Sequence, residues 1–165
     1  MGEIMGEMIR VGMADLNICR CPDVITTLGL GSCVGIVLYD STLKLAGLAH
    51  IMLPDSRQIK NNQNAAKFAN TGIETLIHRM TKQGAKKNQL VAKLAGGAQM
   101  FEFQNSNEML RIGERNIKAS RYNLSLHNIP IIAEDVGKNY GRTIEFYPET
   151  GKLRIRSVGK PVIII

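Results

Sequence analysis

Two apolar runs joined by a short polar segment constrain this chain more than any other feature. Val34 to Tyr39 and Leu45 to Leu53 are dominated by Val, Ile, Leu and Ala, with Asp40 to Lys44 between them. Runs of this length around a brief link read as an antiparallel hairpin. A glycine-punctuated turn, containing Gly29 and Gly31, precedes the first run, and Cys33 stands at its exit. His50 lies in the second run. If Ser41 and Thr42 form a two-residue loop, Val37 faces Ala46, Gly35 faces Leu48 and Cys33 faces His50. Directly opposed residues share one face of the sheet, with Cβ atoms about 4.5–5.5 Å apart. A slip of one residue would send the thiol and the imidazole to opposite faces.

A thiol beside an imidazole is the minimum equipment for nucleophilic catalysis. The thiolate attacks, and the imidazole takes its proton and lowers its pKa. The spacing leaves a second reading open, because a cysteine entering an apolar strand is often only a small buried hydrophobe. The glycines of the preceding turn allow the backbone N–H groups near Gly31, Ser32 and Cys33 to face outward. Such groups can stabilise an oxyanion, or they can simply start a strand.

The rest of the chain supplies layers around this hairpin. Met8 to Ala14 and Leu16 to Cys21 read as short strands. Asn64 to Gln83 reads as a helix, capped by Asn64, ended by Gly84, and buried through Ile73, Leu76, Ile77 and Met80. His78 falls off the centre of that stripe and reads as a surface residue. Leu90 to Leu94 reads as a strand, and Gly96 and Gly97 mark either a tight strand exit or a wall of a cleft. A second helix is expected over Asn105 to Tyr122, with Ser106 or Asn107 as cap and Leu110, Gly113, Ile117 and Ala119 inward. Arg115 and Asn116 either cross-link neighbouring loops or are solvated. Ile129 to Val136 reads as a strand, Arg142 to Phe146 and Lys152 to Val158 as a hairpin, and Pro161 to Ile165 as a last strand. His127 falls in a loop and receives no role. Two long helices among strands, with hairpins at both ends, point to an α/β fold of α+β character: mixed sheets with helices on a face.

The 165 residues fit one domain, residues 1–165, large enough to fold without disulfides. Cys19, Cys21 and Cys33 are an odd set, which speaks for a reducing compartment. Cys19 and Cys21, two apart, would share a strand face. One intervening residue and no second pair make a metal site a poor reading, so no metal or cofactor is expected. The N-terminus, MGEIMGEMIR, lacks a secretory h-region, and no apolar run reaches membrane-spanning length. A cytoplasmic protein with no membrane insertion is expected. The net charge of +7 suggests acidic partners. The basic residues are scattered and accompany no nucleic-acid motif, so nucleic acid is not among the expected partners.

The ordered segments TLGLGSCVGIVLYD (Thr27–Asp40), GLAHIMLPDS (Gly47–Ser56), KLAGGAQMF (Lys93–Phe101), IGERNI (Ile112–Ile117) and EDVGKNYGR (Glu134–Arg142) together resemble the CheD family, the bacterial chemoreceptor glutamine deamidases. The likeness extends from about Arg10 to Val158. One position departs: the family usually has a second glycine where this chain has Lys138.

The resemblance implies a layered sandwich of mixed sheets with two main helices, akin to the catalytic domain of cytotoxic necrotizing factor toxins. It implies a protein-glutamine glutaminase, a hydrolase of linear amides that converts receptor glutamines to glutamate with release of ammonia. The implied catalytic residues are Cys33 as nucleophile, His50 as proton carrier and Thr27 as the group orienting the imidazole. Implied partners are the cytoplasmic helices of chemoreceptors and a CheC-type phosphatase, the protein being a monomer when free. Two other classes compete: a thiol hydrolase or transamidase with a different substrate, and an adaptor that mainly binds the phosphatase.

Overall fold

The computed structural model describes residues 5–100 and 111–165. The described strands form two five-stranded mixed sheets. The first contains β1 (Met8–Val11), β3 (Val24–Leu30), β8 (Arg142–Tyr147), β9 (Lys152–Arg156) and β10 (Ile163–Ile164), in the order β1-β3-β8-β9-β10. The second contains β2 (Leu16–Arg20), β4 (Val34–Asp40), β5 (Leu45–Ile51), β6 (Val91–Gly96) and β7 (Ile131–Val136), in the order β2-β5-β4-β6-β7. Among the described strands, only β1–β3 and β6–β7 pair in parallel. The helices α1 (Ala69–Lys82) and α2 (Ile112–Leu126) cover one face of the second sheet, and the first sheet covers the other.

This sandwich explains why the two runs of the hairpin are apolar throughout rather than alternating. Every residue of β4 and β5 is buried. A strand covered on both faces loses the polar-out half of its pattern. One face, through Val34, Ile36, Leu38, Ala49 and Ile51, packs with Ile73, Leu76, Ile77 and Met80 of α1 and with Ile117 and Leu124 of α2. The other, through Cys33, Val37, Tyr39, Ala46 and Leu48, meets Ile25, Leu30, Ile144, Phe146 and Leu153 of the first sheet.

The hairpin register differs by two residues from the expected one. Asp40 pairs with Leu45, Val37 with Leu48 and Gly35 with His50. The cause lies in the turn. Asp40 Oδ1 accepts hydrogen bonds from the N–H groups of Thr42 (2.9 Å) and Leu43 (3.1 Å). An aspartate that caps its own turn lengthens the link, and Lys44 closes it at φ 49°. A shift of two residues preserves the face, so Cys33 and His50 remain on the same side. They lie on a diagonal instead of directly opposite.

Other boundaries move for equally local reasons. The turn expected around Gly29 and Gly31 is partly strand: β3 runs to Leu30, and Gly29, at φ 67°, sits where its pairing with β8 shifts register between Thr27 and Leu30. Two β-branched residues, Thr26 and Thr27, favour extension there. The first expected helix splits. Asn64 caps a short 3-10 turn, Ala65–Lys67, accepting from the N–H of Ala66 at 3.1 Å. The extended Phe68 then intervenes before α1 starts. The second helix ends one turn later than expected, at Leu126, while Asn105, Ser106, Asn107 and Leu110 lie outside the described residues. Its buried face is Gly113, Asn116, Ile117, Ser120 and Leu124. Cys19 is buried in β2, whereas Cys21 lies past the end of that strand. Lys138 occupies the left-handed region at φ 62°, next to Gly137 at φ 80°. The loop therefore takes a conformation that glycine adopts freely, with lysine in its place. His78 is exposed on α1, and His127 follows the last turn of α2.

Candidate active site

Thr27 of β3 and His50 of β5 meet across the interface between the two sheets, and Cys33, just before β4, packs in the same interface layer. His50 is 1% exposed, and its ladder partner Gly35 offers no side chain. A Cβ on Gly35 would stand 2.8 Å from Ile144 Cδ1 and 3.1 Å from Leu30 Cδ1. The bare glycine thus lets the first sheet close on the second beside the imidazole. Across that interface, Thr27 Oγ1 lies 2.7 Å from His50 Nδ1 and 2.7 Å from the carbonyl oxygen of Val11. The neighbouring Thr26 hydroxyl donates elsewhere, to Ile144 O at 2.7 Å.

These contacts assign the tautomer. A threonine hydroxyl has one proton, and the Val11 carbonyl can only accept. Thr27 therefore donates to Val11 and accepts from His50 Nδ1–H. Neutral His50 then carries its lone pair on Nε2. That nitrogen is buried and has no hydrogen-bond partner among the described residues. An unpartnered buried nitrogen costs stability, and a role in catalysis is one reason for a fold to keep one.

Cys33, two residues before Gly35, packs with Val37, Ala46 and Leu48 on the first-sheet side, the side that alternation also gives His50, so the two stand diagonally across the hairpin. Diagonal neighbours across an antiparallel pair are about 7–8 Å apart at Cα and closer at Cβ, within reach of long side chains. Cys33 is 8% exposed. The electrostatics differ from the simple expectation of a thiol activated by its histidine. Burial pushes the Cys33 thiol pKa up, and its own backbone N–H offsets this only in part. Burial also pushes the His50 pKa down. Both shifts favour the neutral forms. Burial thus favours thiol and imidazole over thiolate and imidazolium.

The loop carrying Cys33 is tied down on several sides. Gly97 N–H donates to Cys33 O and Ala98 N–H to Gly31 O, each at 2.8 Å. The N–H of Gly31 is engaged by Gly29 O at 3.1 Å. Of the expected oxyanion donors, Gly31 is thus already committed, which leaves the N–H groups of Ser32 and Cys33. Of the two readings given to Asn116, a cross-link between neighbouring loops or solvation, the structure shows the cross-link. Asn116 is fully buried on α2, and its Nδ2 donates to Ser32 O at 3.0 Å and to Met52 O at 2.9 Å. The available signal was a polar residue three positions after Gly113 on the inner face of a helix. Among the described residues no cluster of three or more His, Cys, Asp or Glu side chains could hold a metal. No described helix is long and apolar enough to cross a membrane.

Residues 52–157 match the family model described as CheD chemotactic sensory transduction. The chain is 63% identical to the probable chemoreceptor glutamine deamidase CheD of Lachnoclostridium phytofermentans over 95% of its own length and 98% of that protein. It is 54% identical to the chemoreceptor glutamine deamidase CheD of Halalkalibacterium halodurans, over 93% of this chain and 96% of the relative. It is 52% identical to the protein of the same name from Bacillus subtilis, over 92% of each.

Proposed function

The chain belongs to the CheD family, and on that premise we propose that it is a protein-glutamine deamidase of chemoreceptors, with Cys33 as nucleophile, His50 as proton carrier and Thr27 orienting the imidazole. The observation that carries this reading is the chain of two hydrogen bonds from His50 Nδ1 through Thr27 Oγ1 to Val11 O. It leaves an unpartnered Nε2 on the face that also bears Cys33.

The reaction is acyl transfer from nitrogen to water. Cys33 Sγ gives its proton to His50 Nε2 and forms a bond to the carboxamide carbon, while the carbonyl π pair moves to oxygen. The oxyanion is met by the N–H groups of Ser32 and Cys33. As the carbonyl re-forms, the C–N bond breaks and His50 returns the proton to nitrogen, which leaves as ammonia. Water then attacks the thioester, giving a proton to Nε2. The C–S bond breaks, the thiol is restored and glutamate is left. Placed proton transfer contributes about 10²–10⁴-fold to such reactions. Because burial favours the neutral pair, the ion pair forms only when the carbonyl is there to accept the electrons.

Residues 1–165 act in this reading as one deamidase domain in the cytoplasm, monomeric when free. The receptor's helical cytoplasmic region is its substrate. A CheC-type phosphatase is its regulatory partner, and it shares ancestry with the toxin catalytic domain. The test is mass spectrometry of a chemoreceptor cytoplasmic fragment incubated with the protein. Ammonia release with the small mass gain of amide to acid at discrete glutamines is expected. Amine incorporation in place of hydrolysis would identify a transamidase. Unchanged glutamines would remove the enzyme reading.

A further inference from the structure

Asn116 forms a bridge that neither the family description nor the hydrogen bonds around His50 call for. Its Nδ2 supplies both of its protons, one to Ser32 O and one to Met52 O. Both partners are pure acceptors, so the amide orientation is settled by them. Ser32 immediately precedes Cys33 at the entry to β4, and Met52 immediately follows Ile51, the last residue of β5, which pairs with Val34. The side chain therefore pins the two walls that flank the thiol.

The Ser32 carbonyl and the Cys33 N–H belong to one peptide group. That group is planar and trans, so the two point in opposite directions. A clamp on Ser32 O thus sets the aim of the Cys33 N–H. A hydrogen bond accepted at the carbonyl also polarises the peptide and strengthens its N–H as a donor. An oxyanion formed on a carbon bonded to the Cys33 sulfur develops beside the Cys33 N–H.

The backbone is arranged to bring Asn116 this close. A Cβ on Gly113 would stand 2.5 Å from Ala98 O, and one on Gly97 would stand 2.4 Å from Ile117 Cγ1. A Cβ on Gly96 would stand 2.3 Å from Cys33 O. Three absent side chains let α2, the exit of β6 and the cysteine loop approach together.

We propose that Asn116 is a positioning residue for the oxyanion donor: by holding the Ser32 carbonyl it aims and strengthens the Cys33 N–H, without touching the substrate. The inference rests on the deamidase reading above. Its test separates steps that develop an oxyanion from steps that do not. Deamidation passes through a tetrahedral oxyanion, whereas alkylation of the thiol by iodoacetamide displaces iodide at carbon and makes none. Loss of one oxyanion donor costs about 10²–10³-fold in kcat, and a misaimed donor part of that. Asn116→Ala should lower kcat on a receptor fragment about 10–100-fold with little change in KM. The alkylation rate of Cys33, followed on its own peptide by mass spectrometry, should stay within about threefold of wild type, as expected for an intact Cys–His pair.

If Asn116→Ala does not fold, Asn116→Ser leaves a single small donor in the same space and is read by the same two rates. A proportional fall of both rates would mean that Asn116 only holds the Cys–His pair, and would overturn the proposal. So would an unchanged kcat, or loss of folding in both variants. A wild-type protein that alkylates normally but leaves every receptor glutamine intact would overturn the deamidase reading itself, and this proposal with it.

Discussion

The Thr27 hydroxyl offers the sharpest test of the catalytic reading. Thr27→Val keeps the shape of the side chain and removes only the oxygen. Two buried groups then lose their partner, His50 Nδ1–H and Val11 O, each held at 2.7 Å in the native protein. Leaving a buried polar group unsatisfied costs about 1–3 kcal/mol. Two of them cost roughly 2–5 kcal/mol together, allowing for partial relaxation. For a chain of 165 residues, each kcal/mol moves Tm by about 2–4 °C. The expected loss is therefore roughly 5–15 °C, with the protein still folded at room temperature. A single hydrogen bond would have predicted less, and the doubled bond at Oγ1 is the reason. Turnover should fall by about 10²-fold, because an imidazole free to rotate or change tautomer forfeits part of its proton-transfer contribution. Thr27→Ser retains a hydroxyl that can make both bonds, and should stay within about fivefold of wild type. The assay is initial ammonia release from a receptor fragment, with thermal unfolding alongside. Residues acting as one unit are non-additive, so Thr27→Val added to His50→Ala should cost little beyond His50→Ala alone. Full additivity, or a valine variant as active as serine, would refute the orienting role.

Cys33→Ala should abolish ammonia release while the double change Cys19→Ala, Cys21→Ala does not, and surviving activity in Cys33→Ala would remove the nucleophile assignment. Thermal stability should be greatest between about pH 6.5 and about pH 9. The His50 pKa is lowered on folding, so stability declines as pH falls below the unfolded value of 6.5. Burial raises Cys33 above 9.0 and Cys19 to about 12, so stability declines again as pH rises past 9.0. A Tm profile that keeps rising beyond pH 9.0 would contradict those cysteine shifts. Lys138→Gly should leave Tm within about 3 °C, since relief of the left-handed backbone and the greater freedom of glycine when unfolded offset one another. Lys138→Val should lower it clearly. The KM for an acidic receptor fragment should rise with salt, given a net charge of +7, and a flat response would reduce that charge to a solubility feature.

The residues that pack were easier to read than the residues that act. The hairpin was legible because β4 and β5 are apolar throughout, and the faces of Cys33 and His50 followed from parity alone. The register did not follow. It depended on whether Asp40 would bind the N–H groups of Thr42 and Leu43, a local competition that hydrophobic pattern does not report. The strand β3 was hidden by Gly29, because a glycine at positive φ marks a bulge as readily as a turn. The division of α1 from the turn before it hinged on Phe68, which is buried in an extended conformation. Thr27 entered the reading through family resemblance. Its contact with His50 joins two sheets and spans 23 positions in sequence, which no local pattern encodes. Asn116 is harder still, since its partners lie 84 and 64 residues away.

The burial that stabilises the sandwich also determines the chemistry of its thiol. Cys33 and His50 stand at the end of the same apolar layer that holds Ile25, Leu30 and Phe146. In that layer a thiolate–imidazolium pair would lose its hydration, and both pKa directions oppose it. A thiol kept neutral is a weak target for oxidants, because susceptibility follows thiolate character and exposure. It is also a weak nucleophile until a carbonyl arrives. In the proposed reaction the proton moves to Nε2 as the C–S bond forms, and charge appears on the substrate oxygen, where the N–H groups of Ser32 and Cys33 are proposed to meet it. On this account the site distinguishes a docked glutamine from solvent by geometry. Reactivity depends on how well the cysteine loop is aimed, and the loop is aimed by Gly97, Ala98 and Asn116 through the carbonyls of Cys33, Gly31 and Ser32.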